Sequence, residues 1–306
     1  MSIDAKALPS VTDRATPRVV YLGGLGRSGT TLIERLLGEL PGVVALGEVV
    51  HLWERGVLAG EPCGCGTAFP ACPFWRRVGE RAFGGWTRPL AERVLALRGR
   101  IDRTRRIPRI GHPDLAEYTR AYLRLYSAAD APVVIDSSKH ASLACCLVAG
   151  GADVHVVHVV RDPRAVAHSW SRTVHRPEDG RPMTRWSPAR TAVHWSAQNA
   201  AIELLARRGA RVTRIRYEDL LADPGPALTS LAGRLGLSEP GFLDGRTAWL
   251  TASHTASGNP MRFRVGQVEL RRDDSWRSAL PGRDRRLVDA LTWPLRTRYG
   301  YGGGAA

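Results

Sequence analysis

Apolar residues in this chain fall into short runs and helical stripes that alternate along it. The run PRVVYLGG ends in glycines and predicts a β-strand feeding a turn. The next segment, TTLIERLLGEL, sets Leu32, Leu36, Leu37 and Leu40 at helical spacing, with Pro41 and Gly42 ending the helix. APVVIDSS predicts a second buried strand, bounded by Pro132 and a polar cluster. DVHVVHVVR, rich in valine, predicts a third. DPRAVAHSWSR opens a helix, with Asp162 as N-cap and Pro163 at the first helical position. ARVTRIRYEDL reads as a fourth strand and PALTSLAGRLGL as a further helix. Buried strands separated by helices predict an α/β fold, a central parallel β-sheet flanked by helices on both faces. Neither a repeat nor a linker interrupts the pattern, so one domain is expected over residues 18–300. Residues 1–17 and 301–306 read as loose, flexible tails.

Charge changes this picture less than it first suggests. The 306 residues carry a net charge of +15, which favours anionic partners. Of 44 basic residues, however, only Lys6 and Lys139 are lysines. So strong a skew reads as a coding bias that leaves a solvated, arginine-rich surface. Basic runs with interleaved aromatics are missing, as are helix-turn-helix and zinc-finger spacings, so nucleic acid is not an expected partner. No apolar stretch is long enough to span a bilayer, and the first residues lack the apolar core of a secretory signal. A cytoplasmic enzyme acting on small molecules is the expectation. The sequence leaves the oligomeric state open.

The first turn carries the chemistry. In YLGGLGRSGTTLIERLL, Gly24 and Gly29 have the spacing of a nucleotide-hydrolase phosphate loop, but Thr30 stands where that loop has its lysine. Strand, glycine turn and helix together direct free backbone N–H groups and a helix dipole at an anion. Gly26 and Gly29 let the backbone approach. Ser28, Thr30 and Thr31 add hydroxyl donors, and Arg27 adds a charge-assisted, potentially bidentate contact. The lysine of nucleotide hydrolases serves magnesium-dependent triphosphate chemistry. This loop suits a shorter anion that reacts without metal. A second anion site is suggested by VVRDPRAVAHSWSR. Arg161 leaves a strand at its carboxyl end, where open α/β sheets bind ligands, and Ser169 lies two turns into the following helix.

GRSGTTLIERLL resembles the 5′-phosphosulfate loop of sulfotransferases that use 3′-phosphoadenosine 5′-phosphosulfate (PAPS). The Arg161 and Ser169 segment resembles their 3′-phosphate motif, and RIRYEDLLADPGPALTSLAGRLGL resembles the strand and helix that follow it. The arginine in the first loop is closest to the protein-tyrosine, carbohydrate and bacterial branches. The resemblance implies a P-loop NTPase-like sulfotransferase fold and PAPS as co-substrate. It also implies in-line transfer of a sulfuryl group to a hydroxyl or amine of a small-molecule acceptor, with no metal.

It further implies roles for single residues. Glu48, in the "GE" of VVALGEVVHLW, matches the base of the protein-tyrosine branch. A hydroxyl acceptor must lose a proton as sulfur is attacked, which a nearby carboxylate can accept. Lys139, in VVIDSSKH, stands near the point where the family places a lysine. It is a compact three-donor cation kept in a chain that otherwise uses arginine. Arg27 joins these two as a catalytic candidate. In the carboxyl third, Arg264, Gly266 and Trp276 resemble a stretched form of a nucleotide-closing segment, with Arg262 as an equal candidate. Tyr217 is a candidate adenine contact. Residues 173–195, loop-like in composition, are expected to line the acceptor cleft, with Trp186 and Trp195 able to stack on a ring.

Cys63, Cys65 and Cys72 cluster in EPCGCGTAFPACPFW. They read first as buried structural thiols; a disulfide within the loop is an alternative, and a zinc site would need a fourth ligand from His51 or a second chain. Two other functions fit parts of the sequence. One is a P-loop small-molecule kinase, with Asp136 as the only candidate magnesium ligand. The other is a basic nucleotide- or nucleic-acid-binding protein without catalysis.

Overall fold

A computed structural model describes residues 16–104, 107, 111–175, 180 and 182–302. The expected tails outside residues 16–302 therefore lie outside the described residues. In chain order the elements begin β1 (Arg18–Gly23), α1 (Thr30–Leu37) and β2 (Val43–Gly47), followed by a 3₁₀ turn (Val49–His51) and a π-helical segment (Leu52–Leu58). Three helices follow, α2 (Pro73–Phe83), α3 (Arg88–Ile101) and α4 (Leu115–Ala128). Then come β3 (Val133–Lys139), α5 (Ala141–Ala149), β4 (Val154–Val160), α6 (Pro163–Ser171), α7 (Pro188–Arg207) and β5 (Arg211–Arg216). The last third holds α8 (Tyr217–Ala222), α9 (Pro224–Arg234), β6 (Leu243–Asp244), β7 (Thr247–Leu250), β8 (Gly266–Glu269), α10 (Trp276–Ala279) and α11 (Gly282–Arg298).

β1 to β5 form one parallel sheet in the order β2-β3-β1-β4-β5. The sheet carries helices on both faces, as the apolar runs predicted. Successive β1 side chains alternate between the two layers. Val19 and Tyr21 pack with α4, α5 and α7, while Val20 and Leu22 pack with α1, α8 and α9. That alternation is the pleat of a strand buried on both sides. Because the chain runs from β1 to one edge and from β3 back across to β4, the strand order reverses beside β1. Open α/β sheets form their ligand crevice at such a reversal, at the strands' carboxyl ends.

Two local differences from the sequence pattern matter for the site. α1 ends at Leu37, earlier than Pro41, with the Gly38 N–H donating to the Glu34 carbonyl. A Cβ on Gly38 would lie 3.0 Å from the Ala45 Cβ, so a glycine lets the end of α1 lie close against β2. β2 itself occupies the segment that the pattern treated only as the approach to Glu48. The carboxyl third builds a separate three-stranded antiparallel sheet, β6-β7-β8. Arg35 of α1 anchors the strap between β7 and β8. It donates to the carbonyls of Arg262 at 2.6 Å and Arg264 at 2.9 Å, to the Ser253 hydroxyl at 3.0 Å, and to the Thr251 carbonyl. Among the described residues, no helix is long and apolar enough to cross a membrane.

Candidate active site

Glycine geometry shapes the loop after β1. Gly24 has φ 147°, and a Cβ there would fall 2.4 Å from the Val159 carbonyl oxygen. Gly29 has φ 93° and caps α1 without a side-chain hydrogen bond, so the first helical N–H groups face outward. Ser28 and Thr30 are buried beside it. Trp170 of α6 donates its indole N–H to the Gly26 carbonyl at 2.9 Å, tying the loop to the next layer. Arg27 sits at φ 74°, a left-handed conformation uncommon for a residue with a side chain. Its guanidinium lies over the Trp170 ring and contacts the Met183 sulfur at 3.4 Å.

Arg161 joins the two motifs. It leaves β4 and donates to the Arg27 carbonyl at 3.1 Å and to the Asp273 carbonyl at 3.3 Å. Its guanidinium lies 4.4 Å from the centre of the Tyr217 ring. Its Nε is buried without a partner among the described residues. The Asp162 side chain accepts from the Arg164 N–H, the N-cap predicted for α6. Ser169, on that helix, lines the same cleft. This cleft of about 970 Å³ is also lined by Gly26, Arg27, Gly29, Thr30 and Thr31, and by Glu48, Lys139, Arg161 and Tyr217.

Glu48 and Lys139 meet as an ion pair at the edge of the cleft. Lys139 ends β3 at φ 71°. That backbone is held by its carbonyl, which accepts from the Gly24 N–H at 3.1 Å, and by Tyr21, whose hydroxyl donates to the His140 carbonyl at 2.8 Å. His51 Nε2 lies 3.8 Å from the other Glu48 oxygen. Burial pushes the Glu48 carboxyl up, but the Lys139 ammonium foremost outweighs it and holds the group at about 2. Burial lowers His51 to about 3, so its imidazole is neutral near pH 7. Glu34 of α1 supports the pair from beneath, accepting from the Gly47 N–H at 2.6 Å and the Ser137 hydroxyl at 2.7 Å. Burial raises its carboxyl to about 7. Nothing local in the sequence marked Glu34, which lies on a helix face that reads as ordinary.

Several sequence expectations are corrected. Arg262 is fully buried and donates to the Thr255 carbonyl at 3.2 Å, so it braces the strap and does not reach the cleft. Arg264 is exposed and does not line the cleft; its carbonyl serves Arg35. Trp195 is buried and donates its indole N–H to the Arg161 carbonyl at 3.0 Å, a core role. Trp276 is buried beneath the guanidiniums of Arg164 and Arg277. The stretch from Pro188 is helical, not loop, although Met183, Thr184, Trp186, Arg190 and His194 do line the cleft. Asp136 is walled in, accepting from the Tyr126 hydroxyl at 2.5 Å and the Ser138 N–H at 2.8 Å. His51 serves Glu48 and not the cysteines. The side chain that joins Cys63, Cys65 and Cys72 is His254. Trp170 and Trp186 form a further feature of the cleft wall, stacked at 4.0 Å and 8°.

Fold and site together define an α/β protein whose cleft brings together the glycine loop after β1, Arg161 and a carboxylate–lysine pair. Residues 117–240 match the profile of the Sulfotransferase family, a segment that contains Lys139, Arg161, Ser169 and Tyr217. That match supports a sulfotransferase family assignment. No curated protein sequence matches the chain. Among solved structures, the chain is similar to the sulfotransferase domain of the Synechococcus PCC 7002 olefin synthase. The identity is 21% over 91% of this chain and 96% of that one, with a TM-score of 0.45. It is similar to the sulfotransferase domain from the curacin biosynthetic pathway at 15% identity over 91% and 98% of the two chains, TM-score 0.47. A sulfotransferase from Mycobacterium tuberculosis H37Rv is 19% identical over 73% of this chain and 68% of that one, TM-score 0.43.

Proposed function

We propose that the protein is a PAPS-dependent sulfotransferase that moves a sulfuryl group to a hydroxyl or amine of a small-molecule acceptor. The observation that carries this reading is Arg161. It brings a second cationic site against the first loop, within one cleft, and leaves its Nε buried and unpartnered. A donor with anions at both its 5′ and 3′ ends fits that pair better than an ordinary nucleotide does. The outward N–H groups of α1, with Thr30, Thr31 and Arg27, would hold the 5′-phosphosulfate; Ser28 is buried and does not line the cleft, so it would serve through the loop backbone. Arg161 and Ser169 would hold the 3′-phosphate, and the Tyr217 ring would pack beside the nucleotide. The walled-in Asp136 offers nothing to a magnesium ion in the cleft, which disfavours the kinase reading.

The residues then divide the work of an in-line transfer. Lys139 has one ammonium and two claimants, the Glu48 carboxylate and an incoming anion. Drawn toward the oxygen that bridges sulfur and the leaving phosphate, it stabilises the charge that develops there. Its hold on Glu48 then weakens, the Glu48 pKa rises, and the carboxylate becomes a better base for the acceptor proton. The stacked Trp170 and Trp186 offer the acceptor an aromatic wall, with the Arg190 guanidinium 4.7 Å from the Trp186 ring centre.

Two measurements test this. Calorimetry should show that 3′-phosphoadenosine 5′-phosphate binds far better than AMP. A charge-assisted hydrogen bond contributes about 1.5–3 kcal/mol, so losing the 3′ contacts weakens binding at least about tenfold. Equal affinities would remove the role given to Arg161 and Ser169. Incubation with isotopically labelled PAPS and a metabolite extract should yield a sulfated product by mass detection and so identify the acceptor class.

A further inference from the structure

Four side chains that sulfuryl transfer does not use converge on one point. The ligand atoms of Cys63, Cys65, Cys72 and His254 all lie within 4.8 Å of one another. The Cys65 and Cys72 sulfurs are 3.9 Å apart. His254 Nδ1 is 3.4 Å from the Cys72 sulfur and 3.7 Å from the Cys63 sulfur. A tetrahedral zinc ion with Zn–S of about 2.3 Å and Zn–N of about 2.0–2.1 Å separates sulfur pairs by about 3.8 Å and sulfur–nitrogen pairs by about 3.5 Å. These three spacings are thus close to the edges of a zinc tetrahedron. It is far from a disulfide, whose sulfurs are about 2.05 Å apart, and none of the cysteines is paired.

The loop around these side chains is already ordered. The loop holding Cys63 and Cys65 is closed by the Cys63 N–H donating to the Thr67 carbonyl at 2.8 Å and the Gly66 N–H donating to the Cys63 carbonyl at 2.8 Å. The backbone N–H groups of Cys65 and Thr67 point at the Cys63 and Cys65 sulfurs. Outer donors of this kind orient metal ligands and relieve their charge. Cys72 stands at the N-terminus of α2, which fixes its backbone. Phe74 stacks on the His254 ring at 4.9 Å and 10°, which fixes its orientation. Cys63 and Cys72 are fully buried, while His254 borders a separate cavity of about 520 Å³ that gives an ion a path in.

We propose that these four residues bind a structural zinc ion, each thiol releasing its proton to solvent as the metal enters. Three sulfurs and one imidazole nitrogen in tetrahedral array select zinc over the hard cations that prefer oxygen. The site joins chain segments nearly two hundred residues apart. His254 begins the run in which Thr255 accepts from the Gly64 N–H at 2.9 Å and Ala256 accepts from the Glu48 N–H at 2.8 Å. Gly258 of the same run packs against the Glu48 carboxylate, so that a Cβ there would lie 3.1 Å from it. The metal thus roots the strap that walls the carboxylate–lysine pair, without taking part in group transfer.

The test needs neither donor nor acceptor, so it stands or falls apart from the proposed function. Tag-free full-length protein, purified without added metal, should carry a single zinc ion per chain by mass spectrometry. Cys65→Ser and His254→Gln should lose most of it, whereas His51→Gln should keep it. A strong chelator should lower the unfolding temperature of the wild type and leave that of Cys65→Ser unchanged. If the variants do not fold, cobalt titration of stripped wild-type protein decides, since tetrahedral thiolate ligation gives characteristic absorption bands. Wild-type protein without zinc and without those bands would overturn the proposal, as would retention of full zinc by folded Cys65→Ser and His254→Gln.

Discussion

Gly29→Ala is the sharpest probe of the loop. A Cβ at this position would lie 2.3 Å from Tyr217 Cδ2 and 2.6 Å from Cε2. Ordinary carbon contacts are near 3.5–4.0 Å, so the ring must retreat by about 1 Å or more. The backbone is also at φ 93°, and a left-handed conformation costs a non-glycine residue roughly 1–2 kcal/mol. Overpacking in a tight site adds about 1–3 kcal/mol. The variant should therefore lose about 2–5 kcal/mol of stability in urea unfolding, with an unchanged m-value. The steric part can be isolated. Tyr217→Ala removes the ring, so in that background Gly29→Ala should cost only the backbone strain, about 1–2 kcal/mol. The difference between backgrounds is a coupling energy that a double-mutant cycle reads directly. Because the same ring carries the Arg161 guanidinium, Gly29→Ala alone should also weaken binding of 3′-phosphoadenosine 5′-phosphate. An equal stability cost with and without the Tyr217 ring would refute the steric argument.

Three other outcomes follow from the carboxylate–lysine pair and its support. Glu48→Gln keeps the shape but cannot accept a proton, so turnover should fall by about 10²–10⁴ while product-nucleotide affinity by calorimetry stays nearly unchanged; lost nucleotide binding would make Glu48 structural. Lys139→Arg keeps the charge but replaces a compact donor by a planar fork, and turnover should drop more than about tenfold with the fold intact by circular dichroism, whereas near-wild-type activity would remove the argument for a tracking ammonium. Glu34 has a folded pKa of about 7 against an ordinary 4.5. Its raised value means that the contribution to stability is fully present below about pH 4.5 and is lost as pH rises through about 7. Between pH 5 and 8 the wild type should therefore lose up to about 3 kcal/mol relative to Glu34→Gln, measured as the difference between their unfolding midpoints; parallel pH curves would show that Glu34 does not titrate in this range.

The parts of this molecule legible in the sequence are those written within a single element. β1, its glycine turn, β3, β4 and the Asp162 cap each follow from neighbours in the chain. The cleft residues on them, Arg27, Lys139, Arg161 and Ser169, follow as well. What escaped depends on distant partners. β2 is a short strand directly after a glycine, and pairing with β3 defines it more than its own pattern does. β6, β7 and β8 are two to four residues long, below the length at which alternation is readable. Arg262 and Arg161 are the same residue type, and only the surroundings make one a buried brace and the other a cleft residue. His254 joins Cys72 across 182 positions, so no spacing rule could pair them.

The two left-handed residues that line the cleft, Arg27 and Lys139, have a consequence for how this protein can evolve. A glycine at either position would relax the backbone, so the most stable loop and the working loop are different sequences. Selection for robustness alone would push both sites toward glycine. Under the proposed function, their basic side chains persist because anion chemistry outweighs that pressure. A relative that kept the fold but lost the activity should drift to glycine or asparagine at these two positions first, while the Arg35 anchor and the buried strands stay as they are.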